Sequence, residues 1–184
     1  MTGYEARYPE LHRPARWAWG GIEARFRVAL PADELVSNVH VIGFVADRIV
    51  VCRDYRNVWM LPGGTREAGE SVAACVDREL LEEAGARRTG PLTWFGHHDC
   101  VSDRSEPYKP WQPHPRRSWL WCYADVELVA EPTNPDDGEQ IVEVRVATLD
   151  DACELLRADS VGFGGERVIP DVVRIAADLR GRAL

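Results

Sequence analysis

Three glutamates at helical spacing are the residues of this chain most able to do chemistry. The segment GTREAGESVAACVDRELLEEAGA predicts an α-helix that runs to about Ala84 and ends at Gly85, a residue suited to a left-handed cap. At about 100° per residue, Glu79 and Glu83 lie one turn apart on one side, and Glu82 lies beside them. The three carboxylates therefore converge on one edge of the helix.

This cluster needs a cation, because like charges at helical spacing repel each other. Arg78 is four residues before Glu82 and can hold one carboxylate, but one cation cannot neutralise three acids. Mg²⁺ can, since it prefers oxygen ligands and fills its other positions with waters and substrate phosphates. Gly63 and Gly64 permit a tight turn that brings backbone groups to the same region. The sequence therefore predicts a site for Mg²⁺, or Mn²⁺, at this helix.

The same stretch resembles the signature of Nudix (MutT-like) hydrolases. That signature is Gly, five residues, Glu, seven residues, Arg-Glu, an aliphatic residue, any residue, Glu-Glu, any residue, Gly and an aliphatic residue. The matching positions are Gly64, Glu70, Arg78, Glu79, Leu80, Glu82, Glu83, Gly85 and Ala86. Ala86 is smaller than the usual Ile, Leu or Val, which affects packing and not chemistry. The resemblance covers about residues 36–158 and implies an α/β/α sandwich with a mixed β-sheet between helices.

The resemblance also implies roles for these residues. Glu79, Glu83 and the backbone carbonyl of Gly64 would be the principal metal ligands. Glu82 would be a further ligand or the base that activates water. Arg78 would orient a neighbouring carboxylate.

A further catalytic Glu often lies outside the signature in this family. Glu139 and Glu143 are available here, and we favour Glu139 because it lies at a loop-to-strand boundary. An ordinary surface acid is an equally open interpretation of Glu139.

The long loop over residues 102–117 is the predicted substrate-binding region. It reads SDRSEPYKPWQPHPRR and contains four prolines, and loops of this length are usually functional or disordered. Its basic and aromatic side chains suit phosphate contacts and base stacking. The predicted substrate-binding residues are Arg104, Tyr108, Lys109, Trp111 and Arg116. A subunit contact is the alternative interpretation of this loop, and the family resemblance separately implies a homodimer.

Strands and helices alternate around the glutamate-rich helix and predict an α+β fold. VSNVHVIGFV and RIVVCR read as a hairpin, and NVWMLPGG, LTWFGHHDCV, SWLWCYADVEL and QIVEVRVATL read as further strands. Asp151 and Glu154 have capping-box spacing and predict a helix through about Ala158. Pro170 suits the first turn of a final helix. His97 and His98 are adjacent in a strand and point to opposite faces, so ordinary polar contacts are expected.

Length and composition bound the possibilities. A chain of 184 residues suits one domain, and we divide it into an N-terminal extension (1–35) packed on a Nudix domain (36–184). The aromatic residues and arginines of the extension also fit a nucleotide lid. A net charge of −8 disfavours extended nucleic acid. The chain lacks a run of roughly 20 apolar residues and a signal region, so no membrane association and a cytoplasmic location are expected. The five cysteines have no metal-ligand spacing and are expected to be buried.

Three functions remain open at this point. The first is hydrolysis of a phosphoanhydride bond in a nucleoside triphosphate, a dinucleotide or a nucleotide sugar. The second is isomerisation of a prenyl diphosphate, which would need a Cys and Glu pair in the pocket. The third is a non-catalytic nucleotide sensor, which has no need of closely paired carboxylates.

Overall fold

A mixed β-sheet runs through the protein and carries helices on both faces. The computed structural model describes residues 3–135 and 140–183. Within those ranges the strands are β1 (Ala15–Trp17), β2 (Ile22–Arg27), β3 (Val36–Val45), β4 (Arg48–Asp54), β5 (Trp59–Met60), β6 (Gly63–Thr65), β7 (Ala86–Arg88), β8 (Thr93–Ser102), β9 (Arg116–Leu128) and β10 (Ile141–Ala147). The α-helices are α1 (Gly3–Arg7), α2 (Val72–Ala84), α3 (Leu149–Leu155), α4 (Arg157–Ser160) and α5 (Val168–Ala183).

The sheet is mixed because one strand pair at its centre is parallel. The strand order is β1-β2-β8-β9-β3-β4-β10, with β5 beside β4, β6 beside β3, and β7 beside β9. Strands β3 and β9 are parallel, and the other described pairs are antiparallel. Strand β3 is thus flanked by β9 on one side and by β6 and β4 on the other.

Two apolar clusters fix the helices to the two faces of this sheet. On one face, Val39, Val41 and Val50 pack with Val76 and Leu80 of α2. On the other face, the cluster contains Ile42, Phe44, Trp121, Ile169 and Ile175, and it includes residues of α3 and α5. This layering confirms the predicted α/β/α sandwich with a mixed sheet.

Most predicted elements are present with small differences at their ends. The predicted hairpin is β3 and β4, and the glutamate-rich helix ends at Gly85, whose φ is 57°. Pro170 lies in the first turn of α5, as predicted. The capping prediction at Asp151 was wrong. The helix begins at Leu149, because Thr148 is the N-cap and its side-chain oxygen accepts a hydrogen bond from the backbone N–H of Asp151.

Two strands of the N-terminal segment were not predicted. Strand β2 pairs with β8 and extends the sheet, and β1 pairs with β2. Ile22, Ala24 and Phe26 are buried and alternate with exposed residues, while Trp17 is fully buried. This segment therefore supplies part of the core on the α3–α5 face.

The remaining fold-level expectations concern cysteines, histidines and membranes. All five cysteines are free and buried, as predicted. The paired histidines make ordinary polar contacts: Nδ1 of His98 accepts from the Trp121 indole at 2.8 Å, and Nδ1 of His97 lies 2.9 Å from the Ala29 carbonyl oxygen. Within the described ranges, every helix is too short or too polar to cross a lipid bilayer.

Candidate active site

Helix α2 presents its glutamates at the border of its buried face. Ser71 caps the N-terminus by accepting a hydrogen bond from the Ala74 N–H at 3.1 Å. Leu80 belongs to the apolar stripe of the helix and is fully buried. Glu79 and Glu83 border this stripe and are only 6% and 3% exposed. Buried carboxylates require compensating partners.

Strand β6, which precedes α2, supplies one set of partners. The backbone N–H of Gly63 donates to Oε2 of Glu83 at 2.9 Å. The Glu79 carboxylate lies against the α-carbon of Gly64 so closely that a β-carbon at Gly64 would clash with it. Strand β6 thus brings backbone groups to two of the predicted metal ligands, as the sequence indicated.

Arg78 supplies the second set of partners. Its Nη1 donates to Oε1 of Glu79 at 2.8 Å and to Oε2 of Glu82 at 3.0 Å. Its Nε and Nη2 donate to the two carboxylate oxygens of Glu70 at 3.0 and 3.1 Å, and Nη2 also donates to the Thr65 carbonyl at 3.0 Å. One guanidinium therefore orients three of the four signature glutamates.

These contacts also shift proton affinities. Burial would lower the pKa of Arg78, but the hydrogen bonds to Glu70 and the charges of Glu79 and Glu70 outweigh burial and raise it. Burial would raise the pKa of Glu70, but hydrogen bonds from Arg78 and from the Glu67 N–H leave it lowered. Glu70 and Arg78 are therefore a fully charged pair at neutral pH.

A cavity of about 920 Å³ opens beside these carboxylates. Glu79, Glu82, Glu83 and Gly64 line one part of it. Another part of its wall is aromatic and basic, and includes Trp19, His40, Arg104, Tyr108, Lys109, Trp111, Arg117, Trp119, Trp121 and Phe163. Its size is that of a site for a small organic ligand.

A match to a protein-family model identifies the family of this chain. Residues 35–170 match the family model described as the NUDIX domain. The chain belongs to the Nudix family. None of the curated proteins matches this sequence.

Among the solved structures of Nudix proteins that resemble this chain, those of the Listeria and Shewanella proteins agree with the fold. A NUDIX-type protein of Listeria monocytogenes str. 4b F2365 is 16% identical with a TM-score of 0.53, and the alignment covers 79% of this chain and 95% of that one. The NUDIX domain of Shewanella oneidensis NrtR, complexed with ADP ribose, is 13% identical with a TM-score of 0.50 and coverages of 84% and 91%. The Bacillus subtilis pyrophosphohydrolase BsRppH is 18% identical with a TM-score of 0.49 and coverages of 61% and 65%.

The carboxylates of this Nudix site fit a divalent cation. The donors of Glu79, Glu82 and Glu83 are hard oxygens, which Mg²⁺ and Mn²⁺ accept. Within the part of the chain that the structure describes, no three Asp, Glu, His or Cys side chains come together as a group that could hold a metal ion. Mg²⁺ needs few protein ligands, because waters and substrate phosphates complete its octahedral shell.

Four of the five predicted substrate-binding residues line the cavity, and one does not. Arg104, Tyr108, Lys109 and Trp111 line the cavity of this Nudix domain. Arg116 does not line the cavity, because its guanidinium binds the Asp99 carboxylate at 2.8 and 2.9 Å outside it. The predicted additional catalytic residue Glu139 lies outside the described residues.

The predicted set of substrate-binding residues omitted those that β9 contributes to the Nudix cavity. Arg117, Trp119 and Trp121 alternate along β9 and share one face, whereas Arg116 lies on the opposite face. The alternation was available in the sequence, but the strand was predicted to start one residue after Arg117. His40 of β3 was also missed. Burial lowers its pKa to about 4, so its ring is neutral at neutral pH.

Proposed function

We propose that the protein is a divalent-metal-dependent hydrolase that cleaves a phosphoanhydride bond in a nucleoside-diphosphate-linked substrate. Nucleoside triphosphates, dinucleotides and nucleotide sugars are the substrate classes considered. The proposal rests on one observation: a single cavity combines two chemically different surfaces. Oxygen donors for a metal lie at one part of it, and basic and aromatic side chains suited to phosphates and a base line another.

In this proposal, Glu79, Glu83 and the Gly64 carbonyl hold the metal, and Glu82 is a further ligand or the base. When bound, Mg²⁺ or Mn²⁺ neutralises phosphate charge and lowers the pKa of coordinated water. Arg78 fixes the relative positions of the Glu79 and Glu82 carboxylates through the hydrogen bonds of its Nη1. Glu83 is held independently by the Gly63 N–H.

The reaction is hydrolytic substitution at phosphorus. A water oxygen forms a bond to phosphorus, the bridging P–O bond breaks, and the leaving phosphate keeps the electron pair. Glu82, or Glu139 as the alternative base, accepts the proton of the attacking water. Arg104 and Lys109 offset substrate charge on the basic part of the wall.

Two observations support this choice of substrate and reaction. The Shewanella NUDIX domain holds ADP ribose, a nucleoside-diphosphate-linked ligand, within the same fold. Among the described residues, the cavity wall contains no cysteine, and burial raises the pKa of all five cysteine thiols. The acid-base cysteine that prenyl-diphosphate isomerisation would need is therefore not supplied.

The test is product release from a panel of nucleoside triphosphates, dinucleotides and nucleotide sugars with Mg²⁺ or Mn²⁺. We expect turnover of one class by the wild type, and loss of that turnover in Glu83→Gln. Glu127→Gln is the matched control, because Glu127 is an exposed partner of Arg87 outside the cavity. A folded, metal-loaded wild type that cleaves nothing on the panel would contradict the proposal and favour a nucleotide sensor.

A further inference from the structure

Arg117 and Trp119 each carry one buried hydrogen-bond donor that lacks a partner among the described residues. Both side chains line the cavity, and both residues are only 9% exposed. The Nε of Arg117 and the Nε1 of Trp119 are buried without a hydrogen-bond partner among the described residues. Because the residues are two apart on strand β9, their side chains lie on the same face of the sheet. Buried donors without partners are rare in native proteins and indicate a missing ligand or water.

The charge of Arg117 has no carboxylate partner in the part of the chain that the structure describes. Its guanidinium donates from Nη1 to the side-chain oxygen of Gln112 at 3.0 Å. Burial lowers the pKa of Arg117, Cys100 opposes the shift, and the nearby cation Arg104 adds to it. A buried cation without a counter-charge is costly, so the described residues alone leave an unfavourable arrangement at Arg117.

The adjacent residue Arg116 is exposed and paired with a carboxylate, as surface arginines commonly are. Its guanidinium binds both oxygens of Asp99 and its side chain is 62% exposed. The two arginines are neighbours in sequence and differ in burial, in pairing and in access to the cavity. Arg116 is therefore a matched control for Arg117.

These donors restrict the chemistry of a ligand. A guanidinium and an indole N–H can only donate, so the ligand must offer acceptor atoms. A neutral carbonyl group would satisfy Trp119 but would leave the charge of Arg117 unbalanced. An oxyanion with two or more acceptor oxygens satisfies both residues.

The strand register separates this position from the glutamates of α2. Trp119 pairs with Asn38 on one side of β3, while Gly63 pairs with His40 on the other side. Strands β9 and β6 therefore flank β3, and two strand spacings place them about 10 Å apart. An oxyanion bound from β9 and a phosphate bound at the α2 carboxylates are therefore held from opposite sides of β3, and both can belong to one molecule in the same cavity.

We propose that Arg117 and Trp119 form a second anion subsite, which binds an oxyanion that the substrate carries beyond the diphosphate that is cleaved. This inference rests on the proposed function only in identifying the ligand as part of the substrate. The oxyanion is a phosphate or a carboxylate. The preferred substrates are those with such a group on the side remote from the cleaved bond.

The test is anion binding by the full chain in EDTA, where a metal at α2 cannot contribute. Inorganic phosphate and acetate are titrated separately while the indole N–H resonance of Trp119 is followed by NMR, assigned from the spectrum of Trp119→Phe. We expect a saturable shift in the wild type and in Arg116→Gln. In Arg117→Gln we expect binding about tenfold weaker or more, because a charge-assisted hydrogen bond is lost. Whichever of the two anions binds more tightly names the group.

Two results would overturn the proposal. One is the absence of a saturable shift with either anion in the wild type, and the other is equal affinity in Arg117→Gln and the wild type. If Arg117→Gln does not fold, Trp119→Phe replaces it, with binding followed through the backbone amides of β9. That variant removes the N–H donor and keeps an aromatic ring at the position, so unchanged affinity in it would also overturn the subsite. Since no metal is present, the outcome is independent of whether the protein hydrolyses a phosphoanhydride.

Discussion

At the scale of single residues, Arg78 holds three glutamate carboxylates in a defined arrangement. Its guanidinium reaches Glu70, Glu79 and Glu82 and one backbone carbonyl within 3.1 Å. The sequence predicted that Arg78 would orient a carboxylate, but it could not show that several glutamates share this partner. That number depends on the position of Glu70, which precedes the helix and is placed by the glycine-rich turn.

We predict that Arg78→Lys lowers turnover about 10- to 100-fold, as is usual when a group that orients metal ligands is removed. An ammonium group cannot reach the same partners with the geometry of a planar guanidinium. The measurement is kcat with the apparent affinity for Mg²⁺, beside a circular dichroism spectrum that checks folding. Arg87→Lys, which alters an exposed ion pair with Glu127, is the control and should behave like the wild type. Equal metal affinity in both variants would show that Arg78 does not position the ligands.

A second prediction at this scale concerns pH and His98. Burial lowers the pKa of His98 from 6.5 to about 3, so the folded state keeps the ring neutral while the unfolded state takes up a proton. The stability from this group is complete above pH 6.5 and is lost as the pH falls towards 3. The slope is at most about 1.4 kcal/mol per pH unit for one such group.

The measurement is the free energy of unfolding in urea at about pH 7 and about pH 5. We expect His98→Asn to be less stable than the wild type near neutral pH but to lose less stability on acidification. Part of the wild-type slope should remain in the variant, because the lowered pKa of His40 acts in the same direction. Identical slopes in the two proteins would exclude His98 as a source of acid sensitivity.

At the scale of elements, helix α2 was the most predictable part of the fold. Helical periodicity and Gly85 gave the helix and its C-terminal end, and its carboxylates lie where the spacing predicted. Gly63 and Gly64 were predicted as a tight turn, but they belong to strand β6, which pairs with β3. Strands β1 and β2 were missed because they are short and their arginines obscured the alternation of Ile22, Ala24 and Phe26. The neighbours Arg116 and Arg117 were confused for a related reason: the face of a strand residue depends on a register that only the paired strands fix.

The close approach of β6 to α2 gives a third prediction. Gly64→Ala places a methyl group against the Glu79 carboxylate, so that carboxylate must move. We expect turnover about 10- to 100-fold lower, because a displaced ligand weakens the metal site. Gly90→Ala is the control, since a methyl group there makes only ordinary contacts at 3.7 Å. Kinetics and Mg²⁺ titration measure the effect, and wild-type values in Gly64→Ala would refute the close packing.

At the scale of the whole molecule, the N-terminal segment joins the core to the cavity through two tryptophans. Trp17 is fully buried, with its ring 5.0 Å from the rings of Trp119 and Phe163. Trp19 is 54% exposed and lines the cavity, and its indole N–H donates to the Gly162 carbonyl at 3.0 Å. Composition alone left the role of this segment open, because an arginine- and tryptophan-rich stretch fits a packed extension, which we favoured, and also a ligand lid.

We predict that replacing Trp17 affects mainly stability and that replacing Trp19 affects mainly substrate binding. Trp17→Ala should lower the free energy of unfolding by about 3–5 kcal/mol, the usual consequence of removing a large aromatic side chain from a core. Trp19→Ala should change stability much less and should raise KM, because it removes part of the cavity wall. Urea unfolding and steady-state kinetics of the two variants test this. Equal losses of stability would show that Trp19 is a core residue and not part of the binding surface.

The most direct test of the central claim, metal-dependent hydrolysis at phosphorus, is oxygen-isotope tracing of the substrate panel in ¹⁸O-labelled water with Mg²⁺. Mass spectrometry of the products should show one ¹⁸O atom on a phosphate group of one product. The label should be absent in EDTA and in Glu83→Gln, and present in Glu127→Gln. Product formation without label on phosphorus, or labelling that persists in Glu83→Gln, would contradict the account.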